Sequence, residues 1–420
     1  MADAVKGSRT GRAFDRAVLQ QYADWLAVAV AVTLPWSTSI SQILIVLWLV
    51  ALIPTLDVAV VRRELQSPAG ALPVLLWLVA LVGMLWANGP WTERLVGLGG
   101  FHKLLVIPLL LAQFRRSGRG WMVLYGFLAS CCVLLITSYA GWGLSIRIGG
   151  KDPGMPVKDY IAQSSEFLIC IFALLAFAFE SGRARRWILA AAAALLALLF
   201  LANILTISTG RTALVVVPLL LLLLGFRLLG WKGVVAASVA AATIAAIAWT
   251  ASPFLRGRIE GTLADMRGYQ ASEEQAHSAI RLVLWTKAFG FVAAAPLAGH
   301  GTGSIRDQYR AAATGAGTTA KAFNNPHNQI LAVAIQLGML GVAVLMAMWV
   351  AHLALFRGGG LLGWIGVVIV LQNIVSSLFN SHLSDSFHGW LYVFGFGVVG
   401  GMMLRERTRA RPQAKAAGAS

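Results

Sequence analysis

Along this chain, apolar runs about one membrane thickness long alternate with short polar connections. A transmembrane helix needs roughly 20 such residues, and on that measure the pattern predicts twelve helices, near 22–37, 40–58, 71–88, 95–114, 120–139, 162–180, 187–207, 212–227, 233–251, 326–350, 361–380 and 388–404. The predicted fold class is all-α, a polytopic integral membrane protein with one large loop. With the amino terminus placed in the cytoplasm, every basic cluster in a short connection falls on one side: Arg62 and Arg63, then Arg115, Arg116 and Arg119, then Arg183, Arg185 and Arg186, then Arg227 and Lys232, then Arg357. The tail with Arg405, Arg407, Arg409, Arg411 and Lys415 joins them. Lys and Arg in short loops keep those loops cytoplasmic, and one missed or invented span would put every later cluster on the wrong side. The expected division is a cytoplasmic tail (1–21), helices one to nine (22–251), a large outer loop with amphipathic helices (252–325), helices ten to twelve (326–404) and a basic cytoplasmic tail (405–420). Met1 to Asp24 carries Lys6, Arg9, Arg12 and Arg16 without the apolar core and cleavage site of a signal peptide, so it reads as a retained tail.

Composition agrees: 58% of residues are hydrophobic and 12% charged, against about a quarter charged in a soluble domain. A formal net charge of +17 would suggest nucleic acid in a soluble chain. Here the basic residues sit between apolar runs, where they set orientation, so no nucleic-acid partner is expected. Cys131, Cys132 and Cys170 lie inside apolar runs and form neither a disulfide framework nor a metal-ligand spacing. The large loop carries eight basic residues against five acidic ones. Long loops translocate largely regardless of charge, so this surplus is either a solvated surface or a site for an anionic ligand.

Candidate chemistry concentrates where that loop meets the next apolar run, at Asn324-Asn325-Pro326-His327-Asn328-Gln329. Asn325 suits an N-cap and Pro326 the first helical position, which would place His327 in the first turn. There the helix dipole disfavours the imidazolium and leaves a neutral base, although a histidine at such a boundary can equally serve only as a cap. Ala276 to Phe291 has helical periodicity, with Ile280, Leu284, Ala288 and Phe291 on one stripe and Arg281 beside Trp285, and is expected to lie on the membrane surface. In Pro296 to Gly303 the glycines permit a tight turn and a close approach of backbone N–H groups to a ligand. It lacks a Walker ending, so no nucleotide is inferred. Ala311 to Thr319 reads as a mobile loop and Ala414 to Ser420 as a disordered tail. Ser208-Thr209-Gly210-Arg211 places an arginine at the outer end of a helix pair, where it either snorkels or holds a phosphate through its planar fork. Lys103, next to His102, is either an intramembrane functional charge or a residue near the outer interface. Arg147, His277, Trp285, Lys287 and Asn328 complete the candidates for substrate contact. The predicted topology puts Arg211, Arg281 and His327 on one face, where two arginines would neutralise a diphosphate and a neutral histidine would deprotonate a hydroxyl. There is no Asp-x-Asp pattern, and outer carboxylates are scattered, so neither a metal nor a cofactor is expected.

The ordered set Ser208-Thr209-Gly210-Arg211-Thr212-Ala213-Leu214, Arg281-x-x-x-Trp285, Pro296-Leu297-x-Gly299-x-Gly301, Pro326-His327-Asn328-x-x-Leu331 and Gln336-Leu337-Gly338-x-x-Gly341 resembles the bacterial O-antigen ligase and polymerase superfamily. Its motifs cover about residues 200 to 345. The resemblance implies a GT-C-like glycosyltransferase that moves a glycan from undecaprenyl diphosphate at the periplasmic face of the inner membrane. It also implies that the motif arginines, Arg211 and Arg281, sit on the diphosphate and the motif histidine, His327, near the acceptor. Within the superfamily, the helix count and the single large loop are most similar to the ligase that joins O-antigen to lipid A-core in lipopolysaccharide biosynthesis. Polymerases and protein O-oligosaccharyltransferases share these motifs, and a transporter for the same glycolipid is the rival from another class.

Overall fold

In the computed structural model, which describes residues 15–147, 151–208, 210–251, 256, 257, 260, 277–313, 323–358 and 360–417, every regular element among the described residues is helical. The elements are α1 (Arg16–Thr33), α2 (Thr38–Leu52), α3 (Val58–Leu65), α4 (Pro68–Gly83), α5 (Trp91–Gly99), α6 (Val106–Arg116), α7 (Gly120–Gly143), α8 (Tyr160–Arg183), α9 (Trp187–Thr206), α10 (Arg211–Leu229) and α11 (Trp231–Ala251). They continue with α12 (His277–Ala294), α13 (Ile305–Ala311), α14 (Gln329–Leu355), α15 (Leu361–Ser377) and α16 (Ser386–Ala417). The predicted apolar runs fall on these helices, with the run 95–114 divided between α5 and α6 and the end of 40–58 reaching the start of α3. Among the described residues, seven helices are long and apolar enough to cross a membrane, and nine spans result if the bent pairs α3 with α4 (88°) and α5 with α6 (46°) each count once. The expected twelve goes beyond this measure by three: α15 has only 17 residues, α1 carries Arg16, Gln20, Gln21 and Asp24 on its first turns, and several side chains of α11 lie outside the described residues. The helix that ends the chain also runs through Arg405 to Ala417 instead of giving way to a disordered tail at Ala414; residues 418–420 lie outside the described residues.

Burial separates inner from outer helices. The apolar windows of α8 and α16 are 78% and 89% buried, against 22% to 33% for α2, α7, α9 and α10, so the former form the middle of the bundle and the latter its outside. The two ends of the bundle differ in chemistry. At one end the basic connections meet: Arg115 pairs with Glu64 at 2.9 Å, Arg405 donates to Ser117 O at 2.7 Å, Arg407 to Arg357 O at 3.0 Å and Arg227 to Gly360 O at 2.8 Å. Buried Asp24 is paired there, accepting from Gln113 at 2.9 Å and Ser117 at 2.7 Å with Arg119 at 3.4 Å. A carboxylate taken out of water persists only when such partners compensate its lost hydration. At the other end lie the connections that hold the candidate chemistry.

There α14 is broken at Gly338, whose φ of 61° and ψ of −161° interrupt the helix. The break deprives the Ile335 and Gln336 carbonyls and the Met339 and Leu340 N–H groups of their helical partners. The loop 296–303 supplies all four: His300 N donates to Ile335 O (2.8 Å), Gly301 N to Gln336 O (2.9 Å), Met339 N to Pro296 O (2.8 Å) and Leu340 N to Leu297 O (3.2 Å). Each would cost about 1–3 kcal/mol if left unpaired away from water. Thr302 N and Oγ1 extend the seam to Gly83 O (3.0 Å) and Ala80 O (2.6 Å) at the end of α4, and Gly303 N donates to Gln336 Oε1 at 2.8 Å. This overturns the expectation that the glycine-rich turn offers its N–H groups to a ligand, because His300 to Gly303 spend theirs inside the protein. The glycines are needed for contact: a Cβ on Gly338 would stand 2.3 Å from Leu297 O, and one on Gly299 2.5 Å from the Gln336 carbonyl carbon.

The stripe predicted on α12 is present: Leu284 is buried, and Ala288 is buried against Leu331 and Ile335 of α14, with Trp285 and Phe291 beside them. Tyr309 of α13 locks the corner, donating to Leu284 O at 2.8 Å.

Gly338→Ala is expected to lower the apparent Tm in detergent well beyond Gly358→Ala. Both glycines have positive φ, 61° and 74°, but only Gly338 has no room for a methyl group. Strained backbone costs about 1–3 kcal/mol by itself, and equal losses for the two variants would contradict the close approach.

Candidate functional site

The segment before α14 is built from asparagines. Asn328, not Asn325, is the N-cap: its Oδ1 accepts from Leu331 N at 3.0 Å, and α14 begins at Gln329. His327 therefore lies just outside the helix and not in its first turn, in the left-handed region at φ 52°. Asn325 causes this, since its Oδ1 accepts from His327 N at 2.8 Å and closes a side-chain-to-backbone turn that competes with helix formation. A non-glycine residue held there at some cost in strain is a common mark of a functional position. Trp285 Nε1 of α12 donates to Pro326 O at 3.0 Å and pins the same segment from the side.

His327 is half-buried, and its Nδ1 lies 3.1 Å from Asn380 Oδ1. Burial lowers its pKa from the ordinary histidine value; the Asn380 bond opposes this, and the positive charge of Arg281 lowers it further. The expected neutral imidazole follows, but burial is the main cause and not the helix dipole. Arg281 and His327 are thus brought within electrostatic reach of each other. Arg211 opens α10 after Gly210, which fits closely against Ser164 of α8, while the side chain of Arg211 lies outside the described residues.

Beside this segment is a cavity of about 1150 Å³. Asn324, Asn325, Asn380, Ser381, Lys103 and Asp385 make its polar part, and Ile45, Val46 and Leu49 of α2 with Val106 and Leu109 of α6 make an apolar wall. A polar head on an apolar tail fits such a space. Lys103 sits where α5 bends into α6, at the same end of the bundle as the site; it is 3% exposed and donates to Asp385 O (3.0 Å), Ser384 O (3.3 Å) and Leu383 O (3.4 Å). Lys287 donates to Ala312 O at 2.9 Å. Asn328 Nδ2 reaches Leu378 O at 3.1 Å, and Arg147 is exposed beyond the end of α7. His277 begins α12, but its side chain and most of 252–276 lie outside the described residues, as does the predicted mobile stretch Ala311 to Thr319 beyond residue 313, Ala311 itself ending α13. Among the described residues no three His, Cys, Asp or Glu side chains gather as metal ligands.

Sequence reading missed Asn380, Ser381 and their loop. The run Asn380-Ser381-His382-Leu383-Ser384-Asp385 is polar between two apolar runs, but Asn380 counted as the last residue of a span, whereas α15 ends at Ser377.

Arg281→Gln should raise the pKa of His327, since it removes a positive charge that disfavours the imidazolium. The pH midpoint of His327 modification by diethyl pyrocarbonate measures this, and an unchanged midpoint would separate the two residues.

No curated protein matches the chain. Residues 196–346 match the family model described as O-antigen ligase. The matched segment, somewhat over a third of the chain, holds Arg211, Arg281 and His327 together.

Proposed function

We propose that this membrane protein is an O-antigen ligase: it transfers O-antigen polysaccharide from undecaprenyl diphosphate to a sugar hydroxyl of lipid A-core at the periplasmic face of the inner membrane. The observation that carries the reading is His327, a neutral imidazole within electrostatic reach of Arg281 and beside a cavity with a polar end and an apolar wall. The family match supplies the glycan chemistry.

The reaction follows from these groups. His327 takes the proton of the acceptor hydroxyl, whose oxygen bonds to the anomeric carbon of the donor. The bond from that carbon to the diphosphate breaks, and its electron pair leaves with the diphosphate. Arg281 and Arg211 neutralise the leaving charge in place of a metal ion, through hydrogen bonds strengthened by charge. One displacement with one base inverts the anomeric centre, whereas retention would need a carboxylate nucleophile.

Purified protein in detergent should transfer glycan from the lipid-linked donor to lipid A-core, and in excess chelator as well. Transfer only to a second lipid-linked repeat unit would make it a polymerase, and no transfer without a sealed vesicle would favour a transporter. His327→Ala should lose about 10² to 10⁴ in turnover, the usual contribution of a general base, with Gln unable to rescue because it cannot take up a proton. The activity limb should rise with pH through a midpoint below the ordinary histidine value, because the pKa is lowered in the fold. Near-normal transfer by His327→Gln would leave His327 a positioning role only. Arg281→Ala and Arg211→Ala should each cost roughly 1.5–3 kcal/mol, the worth of charge-assisted hydrogen bonds, and Lys should rescue in part because it cannot present a planar fork. Sidedness is read from tags: at Ser117 and after Arg411 they should report cytoplasm, and near Met155 periplasm.

A further inference from the structure

We infer that Asn380 is the positioning residue that decides which nitrogen of His327 acts as the base, holding the hydrogen on Nδ1 and leaving Nε2 with the free lone pair. The inference rests on the reading of His327 as base and adds a partner from outside the matched segment 196–346. The two residues are 53 positions apart in the chain and meet in space at 3.1 Å.

The assignment follows from hydrogen-bond logic. Which end of an asparagine amide is oxygen must be decided from its neighbours, and here two backbone N–H groups decide it. Ser381 N donates to Asn380 Oδ1 at 3.0 Å, and His327 N donates to Asn325 Oδ1 at 2.8 Å. A backbone N–H only donates, so both acceptors are oxygens. Asn325 Nδ2 also points at Asn380 Oδ1, at 3.4 Å, and Ser381 Oγ donates to Asn325 Oδ1 at 2.7 Å, so a flip of either amide would set donors against donors. With Asn380 Oδ1 fixed as an acceptor, His327 Nδ1 must carry the hydrogen. The ring nitrogen opposite is then the basic one, since the partner of one nitrogen sets the state of the other.

The loop that carries Asn380 is held from three directions. Asn328 Nδ2 donates to Leu378 O at 3.1 Å, Gln329 Oε1 accepts from Leu383 N at 2.9 Å, and the buried Lys103 ammonium donates to the carbonyls of Leu383, Ser384 and Asp385. The residues that begin α14, directly after His327, thus also hold its orienting partner, so base and partner move as one unit. Lys103 acts on the reaction through this loop. Among the described residues, the charged group that acts on His327 is Arg281 of α12.

The test is the tautomer and the turnover together, on protein labelled with ¹⁵N-histidine and assayed for transfer to lipid A-core. In the wild-type protein His327 should show a protonated Nδ1 and an unprotonated Nε2. Asn380→Ala should lose that form and lower kcat on the order of 10², part of what a general base supplies, with KM for the donor nearly unchanged. Asn380→Asp keeps an acceptor oxygen and adds a charge, so it should retain the tautomer, recover most of the lost turnover and move the activity limb to higher pH. A residue of purely structural use would lower Tm without moving the limb. An Nε2–H tautomer in the wild-type protein, or unchanged kcat and limb in well-folded Asn380→Ala, overturns the inference. Full activity of His327→Ala rejects the base itself, whereas an inactive His327→Ala beside a fully active Asn380→Ala rejects only the role of Asn380.

Discussion

The break in α14 at Gly338 is what the site end of the molecule depends on. A helix that stops and restarts leaves backbone groups that must be paired, and the loop 296–303 pairs all four across the gap. The requirement runs both ways. The loop has no regular structure of its own to satisfy Pro296 O, Leu297 O and the N–H groups of His300 and Gly301, so the broken helix completes it as much as it completes the helix. Because Thr302 ties the same loop to the end of α4, the first half of α14 is fixed relative to the bundle. Leu331 and Ile335 on that half seat α12, and α12 brings Trp285 to Pro326 and Arg281 near His327. Two separate motifs in the sequence, Pro296 to Gly301 and Gln336 to Gly341, are therefore the halves of one seam.

Charge follows the same division. Arginines at the basic end bind carbonyls and buried carboxylates that join neighbouring connections, as Arg405 does with Ser117. Their work is to hold that end together. At the other end a lysine takes the holding role: Lys103 spends its ammonium on three carbonyls of the loop 378–385. Among the described residues, Arg281 is the charge that acts on the histidine, and Asn325 and Asn380, which carry no charge of their own, are its hydrogen-bond neighbours. An imidazole among neutral amides and one guanidinium stays a base, where a carboxylate at the same place would have favoured the imidazolium.

Much of this was legible in the sequence because it depends on local pattern. Helices follow from apolar runs, and the expectation that Arg211, Arg281 and His327 share one face follows from counting them. The stripe of Leu284 and Ala288 was visible at helical spacing, but the burial of Ala288 against α14 was not, since periodicity shows that a face is covered and not by what. Asn325 and Asn328 both suit an N-cap, and only the fold shows that Asn325 spends its oxygen on His327 N and delays the helix to Gln329. The glycines of 299–303 were read as room for a ligand because positive φ and close approach look alike in sequence whether the neighbour is a phosphate or a second stretch of backbone. Asn380 was invisible for a plainer reason: a long-range contact between two side chains leaves no periodicity.

The central claim is that a neutral His327 removes the proton of the acceptor. Chemical rescue tests it most directly, with imidazole added to His327→Ala protein during transfer to lipid A-core. The account predicts that turnover returns and grows with the unprotonated fraction of the added imidazole as pH is varied. Turnover that instead follows the protonated fraction, or that is already normal without imidazole, would contradict it.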